Sequence, residues 1–235
     1  MITSLNGNTP FPPVEYALRS PNGLLAAGGG LSVQRLLEAY RHGIFPWFNP
    51  GEALLWWSPD PRMVLIPGEL KISRSFARVL RNSVYEVSCD TAFEQVMRAC
   101  AAPRDEHGGT WIGEDMIAAY CALHKMGHAH SVETWIDGKL SGGLYGVSIG
   151  RMFYGESMFC YVSNASKIAL AHLARQLDRW QSGASSAMID CQMNTAHLAS
   201  LGGREIPRSE FIAQLQELIH CELITQWQFD ADLFL

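Results

Sequence analysis

A carboxylate, a thiol and an amide follow one another at Asp190-Cys191-Gln192. In a β-strand, successive side chains point to opposite faces, so Asp190 and Gln192 are expected on one face and Cys191 on the other. We predict that Cys191 packs into the core and that its two neighbours face a site. A buried aspartate that accepts hydrogen bonds only from backbone donors is the structural alternative.

A second carboxylate lies among large apolar side chains. Residues 153–159 contain Glu156, and a glutamate is rarely buried unless another group pairs with it. Together with Trp47, Trp111, Met158 and several leucines, this segment predicts an apolar pocket with one or two polar anchors. Ordinary core packing of the aromatic residues and the methionine is the alternative.

Cations recur at spacings of three, four and three residues in one segment. They are Lys71, Arg74, Arg78 and Arg81. On a helix this spacing places all four on one face, while Ile72, Phe76 and Val79 take the other. In an acidic protein such a basic stripe is suited to binding phosphate groups. A plain solvated helix face is the alternative.

Neither a metal centre nor a nucleotide-binding loop is predicted. His124, His128 and His130 are close in sequence, but Gly127 is expected to end the helix between them, and no carboxylate has a matching spacing. The glycines of residues 28–30 precede a helix, yet the chain contains neither G-x-G-x-x-G nor G-x-x-x-x-G-K-[ST]. We therefore expect no metal and no cofactor.

The composition favours a globular protein. The chain has 235 residues, of which 48% are hydrophobic and 17% charged, and these values exclude an intrinsically disordered chain. The net charge of −5 excludes nucleic-acid binding over the whole surface but permits a local basic strip. No apolar run reaches the ~20 residues needed to span a bilayer. Six cysteines without C-x-x-C spacing, and a start without a basic leader, predict a cytoplasmic protein with reduced thiols.

Turn-forming residues are concentrated at the start of the chain, where eight of the eleven prolines fall within the first 61 residues. We predict a small, loop-rich N-terminal domain over residues 1–62. It contains one helix, which Ser32 caps and Gly43 ends.

A second domain is predicted over residues 63–235. Thr91 and Glu94 have the spacing of a capping box at the start of a helix. Further helices are expected over 114–126, 165–181 and around 211–218, and strands over 131–136, 140–149, 151–159 and 188–192. Helices that flank a mostly antiparallel sheet indicate the α+β class.

Ten short motifs run in order across residues 21–211. The first five are Pro21-Asn22-Gly23-Leu24-Leu25-Ala26, Gly43-Ile44-Phe45-Pro46-Trp47-Phe48, Trp56-Trp57-Ser58-Pro59-Asp60-Pro61-Arg62, Gly109-Thr110-Trp111-Ile112 and Gly127-His128-Ala129-His130-Ser131. The others are Gly142-Gly143-Leu144-Tyr145-Gly146-Val147, residues 153–159, Asn164-Ala165-Ser166-Lys167, Ile189-Asp190-Cys191-Gln192 and His197-Leu198-Ala199-Ser200-Leu201-Gly202. Together they resemble the leucyl/phenylalanyl-tRNA–protein transferase family.

The resemblance implies a fold and an activity. The expected fold is a small N-terminal domain joined to an acyltransferase domain similar to the GNAT fold. The expected enzyme is a cytoplasmic aminoacyltransferase that moves Leu, Phe and, less well, Met from aminoacyl-tRNA to acceptor proteins that begin with Arg or Lys. This transfer marks the acceptor for degradation through the bacterial N-degron pathway. No cofactor and no membrane are implied, and a monomer is expected.

The resemblance also implies roles for single residues. Glu156, Asp190 and Gln192 are expected to be catalytic and to face the reacting amine, with Gln192 orienting that amine because an amide oxygen is a very weak base. Leu144, Leu173 and Leu177 are expected to line the pocket for the donor side chain. The residues expected around the aminoacyl-adenosine end of the tRNA are Trp47, Trp111, Phe153, Gly155 and Met158.

Three other functions fit parts of the sequence. A CoA-dependent acetyltransferase requires a [QR]-x-x-G-x-[GA] loop, and the chain has no such string. A cysteine amidase would use Cys191, which the predicted alternation turns away from the site. A noncatalytic RNA-binding module would use the basic stripe and form no product.

Overall fold

The computed structural model describes residues 2–7, 9–103, 110–180 and 187–234. The start of the chain forms a small sheet with the strand order β1-β2-β4-β3. Its strands are β1 (Thr3–Leu5), β2 (Leu24–Gly28), β3 (Phe45–Pro46) and β4 (Leu55–Trp57). Helix α1 (Val33–Arg41) connects β2 to β3, and the Ser32 hydroxyl accepts a hydrogen bond from the Arg35 N–H. The predicted cap of this helix is therefore confirmed.

The larger sheet has seven strands in the order β11-β5-β10-β9-β8-β7-β6. Its strands are β5 (Arg62–Leu65), β6 (Glu86–Cys89), β7 (Ala129–Ile136), β8 (Lys139–Ile149), β9 (Met152–Cys160), β10 (Met188–Gln192) and β11 (Arg204–Ile206). Only the β9–β10 pair is parallel among the pairs of this sheet. The predicted meander is confirmed as β7–β9, with its first turn at Asp137-Gly138, where both residues have positive φ.

Helices cover both faces of the larger sheet. They are α2 (Arg74–Asn82), α3 (Phe93–Ala101), α4 (Glu114–Lys125), α5 (Ala165–Trp180), α6 (Ala196–Ser200) and α7 (Arg208–Leu218). One apolar core joins α3 and α4 to Tyr145 and Val147, and another joins α5 to Leu144 and Phe153. The predicted α+β class, with helices flanking a mostly antiparallel sheet, is confirmed. Gln181, the predicted last residue of α5, and Gly109 lie outside the described residues.

Two boundary predictions have different outcomes. The capping box before α3 is wrong, because the Thr91 hydroxyl donates to Glu133 at 3.1 Å and Glu94 pairs with Arg98 instead. The division into domains at residue 62 stays a prediction. The two sheets share one apolar core, in which Trp56 of the small sheet is buried in the same cluster as Tyr154 of the large one.

Within the described residues, no helix combines the length and the apolar character needed to cross a membrane.

Two β-bulges separate the strands at the centre of the larger sheet. Strand β9 pairs with β10 only as far as Tyr154 and Asp190. In β9 the register then shifts, so that Glu156 has no partner between the paired residues on either side of it. In β10 the register against β5 shifts between Asp190 and Gln192. Since a bulge redirects side chains and ends regular pairing, the two strands diverge beyond this point.

Candidate active site

A cavity of about 490 Å³ opens where β9 and β10 diverge. Its walls come from both strands, from α5 and from the segments after β3 and β10. The predicted site residues that line it are Trp47, Trp111, Leu144, Phe153, Gly155, Glu156, Met158, Leu173 and Gln192. Most of the lining is apolar, and Glu156 is the only carboxylate among the described residues that line the cavity. The sequence therefore predicted the chemical character of the cavity.

Three donors hold the Glu156 carboxylate at the cavity wall. The Tyr40 hydroxyl on α1 and the Gln192 amide Nε2 donate to Oε1 at 2.8 and 3.0 Å. The Tyr120 hydroxyl on α4 donates to Oε2 at 2.9 Å. The two tyrosine hydroxyl oxygens also contact each other. The carboxylate thus has its partners on three separate elements, which fixes its orientation.

Burial governs the ionisation of this cluster. It raises the pKa of Glu156 to about 7, although the hydrogen bonds from Tyr40 and Tyr120 act in the opposite direction. Burial also raises the pKa of both tyrosines well above the ordinary value, so they stay protonated and remain donors. A carboxyl group with a pKa near neutrality can take up or release a proton at physiological pH.

Gln192 is held at both its backbone and its side chain. Its φ is +63°, a left-handed conformation that is uncommon for residues other than glycine. The backbone N–H donates to Asp190 Oδ1 at 2.9 Å, and the side-chain Nε2 donates to Glu156. With Nε2 used in this way, the amide oxygen Oε1 is the end of the side chain that can accept a hydrogen bond from a bound group.

Asp190 does not line the cavity. Its side chain and that of Arg62 are fully buried. The guanidinium donates from Nε to Oδ1 at 2.8 Å and from Nη2 to Oδ2 at 2.6 Å. A bidentate pair of this kind has high geometric specificity. Asp190 therefore holds the Gln192 backbone and does not reach the cavity.

Alternation along β10 is confirmed from Ile189 to Cys191, but the prediction that Asp190 and Gln192 share the face that forms the site is wrong. Cys191, which was expected in the core, lines the cavity together with Ile189, whereas Asp190 points to the opposite side. The bulge beyond Asp190 then breaks the two-residue period and brings Gln192 to the same side as Cys191. Burial raises the pKa of the Cys191 thiol strongly, and this disfavours the thiolate that a nucleophile needs.

Leu177 also lies outside the cavity. It is fully buried in the same apolar cluster as Leu144 and Leu173, but only the latter two are lining residues. One further turn along α5 has taken Leu177 past the end of the cavity. The prediction that Leu177 contacts a ligand is therefore wrong, and Leu177 instead packs behind the cavity wall.

Comparison with known proteins identifies the family. The sequence model for the leucyl/phenylalanyl-tRNA protein transferase matches residues 64–216, and the model for the N-terminal domain of that transferase matches residues 29–60. A leucyl/phenylalanyl-tRNA–protein transferase from Nitrosomonas europaea is 66% identical, over 93% of this chain and 91% of the relative. The chain belongs to the leucyl/phenylalanyl-tRNA–protein transferase family.

A second relative covers nearly the whole chain, and two solved structures are similar to part of it. A relative of the same name from Nitrosospira multiformis is 62% identical over 99% of both chains. Among solved structures, a GCN5-related N-acetyltransferase from Kribbella flavida has a TM-score of 0.36 and 13% identity, over 72% of this chain and 59% of that one. L-PGS from Bacillus licheniformis has a TM-score of 0.38 and 11% identity, over 69% of this chain and 51% of that one.

The basic stripe of this transferase family member lies mainly on α2. Arg74, Arg78 and Arg81 are exposed on the helix, and Phe76 on its other face is buried. Lys71 is also exposed, but it precedes the Ser73 cap, so its predicted place on the helix is wrong. Within the part of the chain that the structure describes, none of the four cations forms an ion pair. Their charges are therefore available for contact with phosphate groups.

Two of the three histidines that are close in sequence, His124 and His130, have structural partners. His130 Nδ1 lies 2.8 Å from Asp90 Oδ2, and His124 Nδ1 lies 2.8 Å from the Ala129 carbonyl oxygen. A search of the described residues finds no cluster of three or more His, Cys, Asp and Glu side chains suited to a metal ion.

Sequence reasoning did not assign a site role to the residues that support the carboxylates. Tyr40 and Tyr120 lie at buried helix positions, where a tyrosine fits core packing equally well. Arg62 was read only as part of a motif. The unusual combination of a glutamate and an aspartate in predicted buried strands was the available signal, since each requires a buried donor.

The first prediction concerns Glu156. Between about pH 4.5, the ordinary pKa, and pH 7, the unfolded chain is ionised while the folded chain keeps the proton, so stability falls as pH rises through this window. We expect Glu156→Gln to remove that dependence. The difference in unfolding free energy between variant and wild type should grow by roughly 3 kcal/mol from pH 4.5 to 7.5. Urea unfolding at several pH values measures it, and a difference that stays constant contradicts the raised pKa.

The second prediction concerns the buried ion pair. Arg62→Met leaves the Asp190 carboxylate buried without its partner, so the unfolding free energy should fall by about 3–5 kcal/mol. The double variant Arg62→Met/Asp190→Asn removes the charge but keeps an acceptor for the Gln192 N–H, and it should be more stable than the single variant. Denaturant titration of both proteins makes the comparison. A double variant that is less stable than Arg62→Met contradicts this assignment.

Proposed function

We propose that this protein is an aminoacyltransferase that moves Leu, Phe and, less well, Met from aminoacyl-tRNA to the α-amine of proteins beginning with Arg or Lys. The observation that carries the proposal is the pairing of Glu156 with Gln192 at the wall of an apolar cavity in a member of this family. The acceptor class and the role in the bacterial N-degron pathway rest on the family resemblance. We place the enzyme in the cytoplasm, as a monomer.

The chemistry requires no cofactor. The acceptor α-amine attacks the aminoacyl carbonyl carbon, a new C–N bond forms, and the bond from that carbon to the tRNA ribose oxygen breaks. The amine loses a proton and the ribose oxygen gains one. Because the ester is already activated by its attachment to the ribose, the protein needs mainly to orient the amine and to accept its proton.

Gln192 and Glu156 suit these two tasks. The Gln192 amide oxygen can accept a hydrogen bond from the amine N–H, because its Nε2 is already bound to Glu156. The α-amine has a reference pKa of about 7.7–8.0, close to the pKa of about 7 of Glu156. Because the two pKa values are similar, a proton can move between the amine and the carboxyl group at a low free-energy cost. Asp190 acts as a positioning residue, since it holds the Gln192 backbone.

The cavity wall supports the donor choice. Leu144, Leu173, Phe153 and Met158 provide an apolar surface that accepts unbranched and γ-branched side chains and excludes charged ones. Trp47, 38% exposed, lines the cavity together with Trp111 and Gly155. An exposed indole of this kind can stack on the terminal adenine of the tRNA. The donor side chain would then fill the apolar part of the cavity.

The direct test uses labelled Leu-tRNA and Phe-tRNA with a peptide that begins with Arg. We expect the label at the peptide N-terminus, and none when the peptide is N-acetylated or begins with Asp. Gln192→Ala should lose most of the activity, whereas Cys191→Ser should retain it. Activity that disappears with Cys191→Ser favours the cysteine amidase, and binding of tRNA without any product favours the noncatalytic RNA-binding module. Binding of acetyl-CoA, measured by calorimetry, would favour an acetyltransferase.

The third prediction tests the donor pocket. Leu173→Ala should favour Phe over Leu, because Leu loses contacts that the larger Phe ring partly recovers. A single contact of this size is worth about 1–3 kcal/mol, so the shift should be tens-fold at most. The measurement is the ratio of kcat/KM for Phe-tRNA and Leu-tRNA with one Arg peptide. Leu215→Ala is the control, since Leu215 is equally buried in the other apolar core and does not line the cavity. An unchanged ratio in an active Leu173→Ala enzyme removes Leu173 from the pocket.

The fourth prediction tests the basic stripe. Arg74→Glu/Arg78→Glu should weaken binding to different tRNAs about equally, because phosphate contacts carry no direct base information. The slope of log affinity against log salt should fall by about 2. Lys125→Glu/Lys139→Glu is a control of equal charge, since both lysines are exposed on other elements. Equal losses in the two double variants, measured by filter binding, assign the effect to net charge and not to the stripe.

A further inference from the structure

The last residues of the chain lie along α5. We call residues 222–234 the C-terminal strap. Phe229 and Trp227 contact Trp180 at the end of α5, with ring centroids 5.9 and 5.5 Å from it. Phe234 contacts His172, two turns earlier, at 4.7 Å. The strap therefore runs antiparallel to the helix, on a side that does not line the cavity. It also lies beyond residues 64–216, which the family model matches.

Polar contacts attach the strap to α5. The Gln176 side chain, which is fully buried, accepts a hydrogen bond from the Asp230 N–H at 2.7 Å and donates to Asp230 Oδ2 at 3.2 Å. Arg179 pairs with Asp230 and Asp232. Because a buried amide left without partners is costly, Gln176 ties α5 to the strap in one arrangement.

Trp227 links the strap to the cavity wall. Its indole stacks on the His130 ring, with centroids 3.8 Å apart and an interplanar angle of 11°. It also lies 5.9 Å from the ring of Phe153, and Phe153 lines the cavity. Trp227 packs against the apolar cluster that contains Leu173 and Leu144. Trp227 thus packs against side chains that line the cavity, on the side that faces away from it.

We propose that Trp227 is a specificity-determining positioning residue for the donor pocket. The strap holds α5, which carries Leu173, and Trp227 holds Phe153. Because packed side chains transmit small displacements to their neighbours, removal of the indole lets both walls move into the vacated space. The pocket then becomes larger and less selective, although no residue that contacts the donor has changed. This inference rests on the proposed function of the cavity.

The test compares Trp227→Ala, Trp227→Phe and the control Phe234→Ala, which removes another strap ring that contacts α5 at His172. We expect Trp227→Ala to change the ratio of kcat/KM for Phe-tRNA and Leu-tRNA by about threefold to tenfold. Trp227→Phe should restore much of the ratio, and Phe234→Ala should leave it unchanged. Equal changes in Trp227→Ala and Phe234→Ala, or none in Trp227→Ala, overturn the proposal.

A second measurement does not depend on activity. Cys191 lines the cavity, so its rate of alkylation by iodoacetamide, followed by mass spectrometry of the folded protein, reports access to the cavity. We expect about a threefold or larger increase in Trp227→Ala and none in Phe234→Ala. If neither the wild type nor any variant transfers an amino acid, the proposed function is wrong. The alkylation rates still decide the role of Trp227. Identical rates in wild type and Trp227→Ala overturn it.

Discussion

The buried pair of Arg62 and Asp190 is the interaction on which the site depends. The guanidinium also donates from Nη1 to the Gly43 carbonyl oxygen at 3.1 Å, and it lies over the rings of Phe45 and Phe211 at 4.8 and 4.6 Å. One side chain thus connects the small sheet, the larger sheet and α7. A charge buried this deeply is tolerated only when all of its partners are in place, so these elements must meet in one geometry.

Hydrogen bonds connect Asp190 to Gln192 and Gln192 to Glu156. Asp190 accepts from the Gln192 backbone, and the Gln192 amide reaches the Glu156 carboxylate. Tyr40 and Tyr120 complete the set from helices on the other side. These donors restrict the orientation of the carboxyl group. Burial raises its pKa, whereas the hydrogen bonds from the two tyrosines lower the pKa, and the net value is about 7. The reactive region is therefore ordered before any substrate binds.

Regular periodicity made most of the fold predictable from the sequence. The meander, α1, α4 and α5 follow from apolar spacing and from turn signals such as Asp137-Gly138. The short strands of the small sheet lie among prolines and glycines and have too few residues to show alternation. The cavity's apolar character was predictable from Glu156 and its neighbours. Alternation separates Asp190 from Cys191 but does not show which face of β10 lines the cavity. The position of Gln192 beside Cys191 was not predictable, because a bulge is a departure from periodicity that depends on the pairing partner.

The spacing of Arg62 and Asp190 has a consequence for synthesis of the chain. The two residues are 128 positions apart. At a ribosomal rate of about 5–20 residues per second, the cation leaves the ribosome roughly 6 to 26 s before the carboxylate with which it pairs. During this interval a nascent chain holds Arg62 without its partner, and the aromatic rings that sandwich it in the finished protein include Phe211, which emerges later still. The surroundings of Arg62 are thus complete only after residue 211 has left the ribosome, and a polypeptide terminated before that point lacks them.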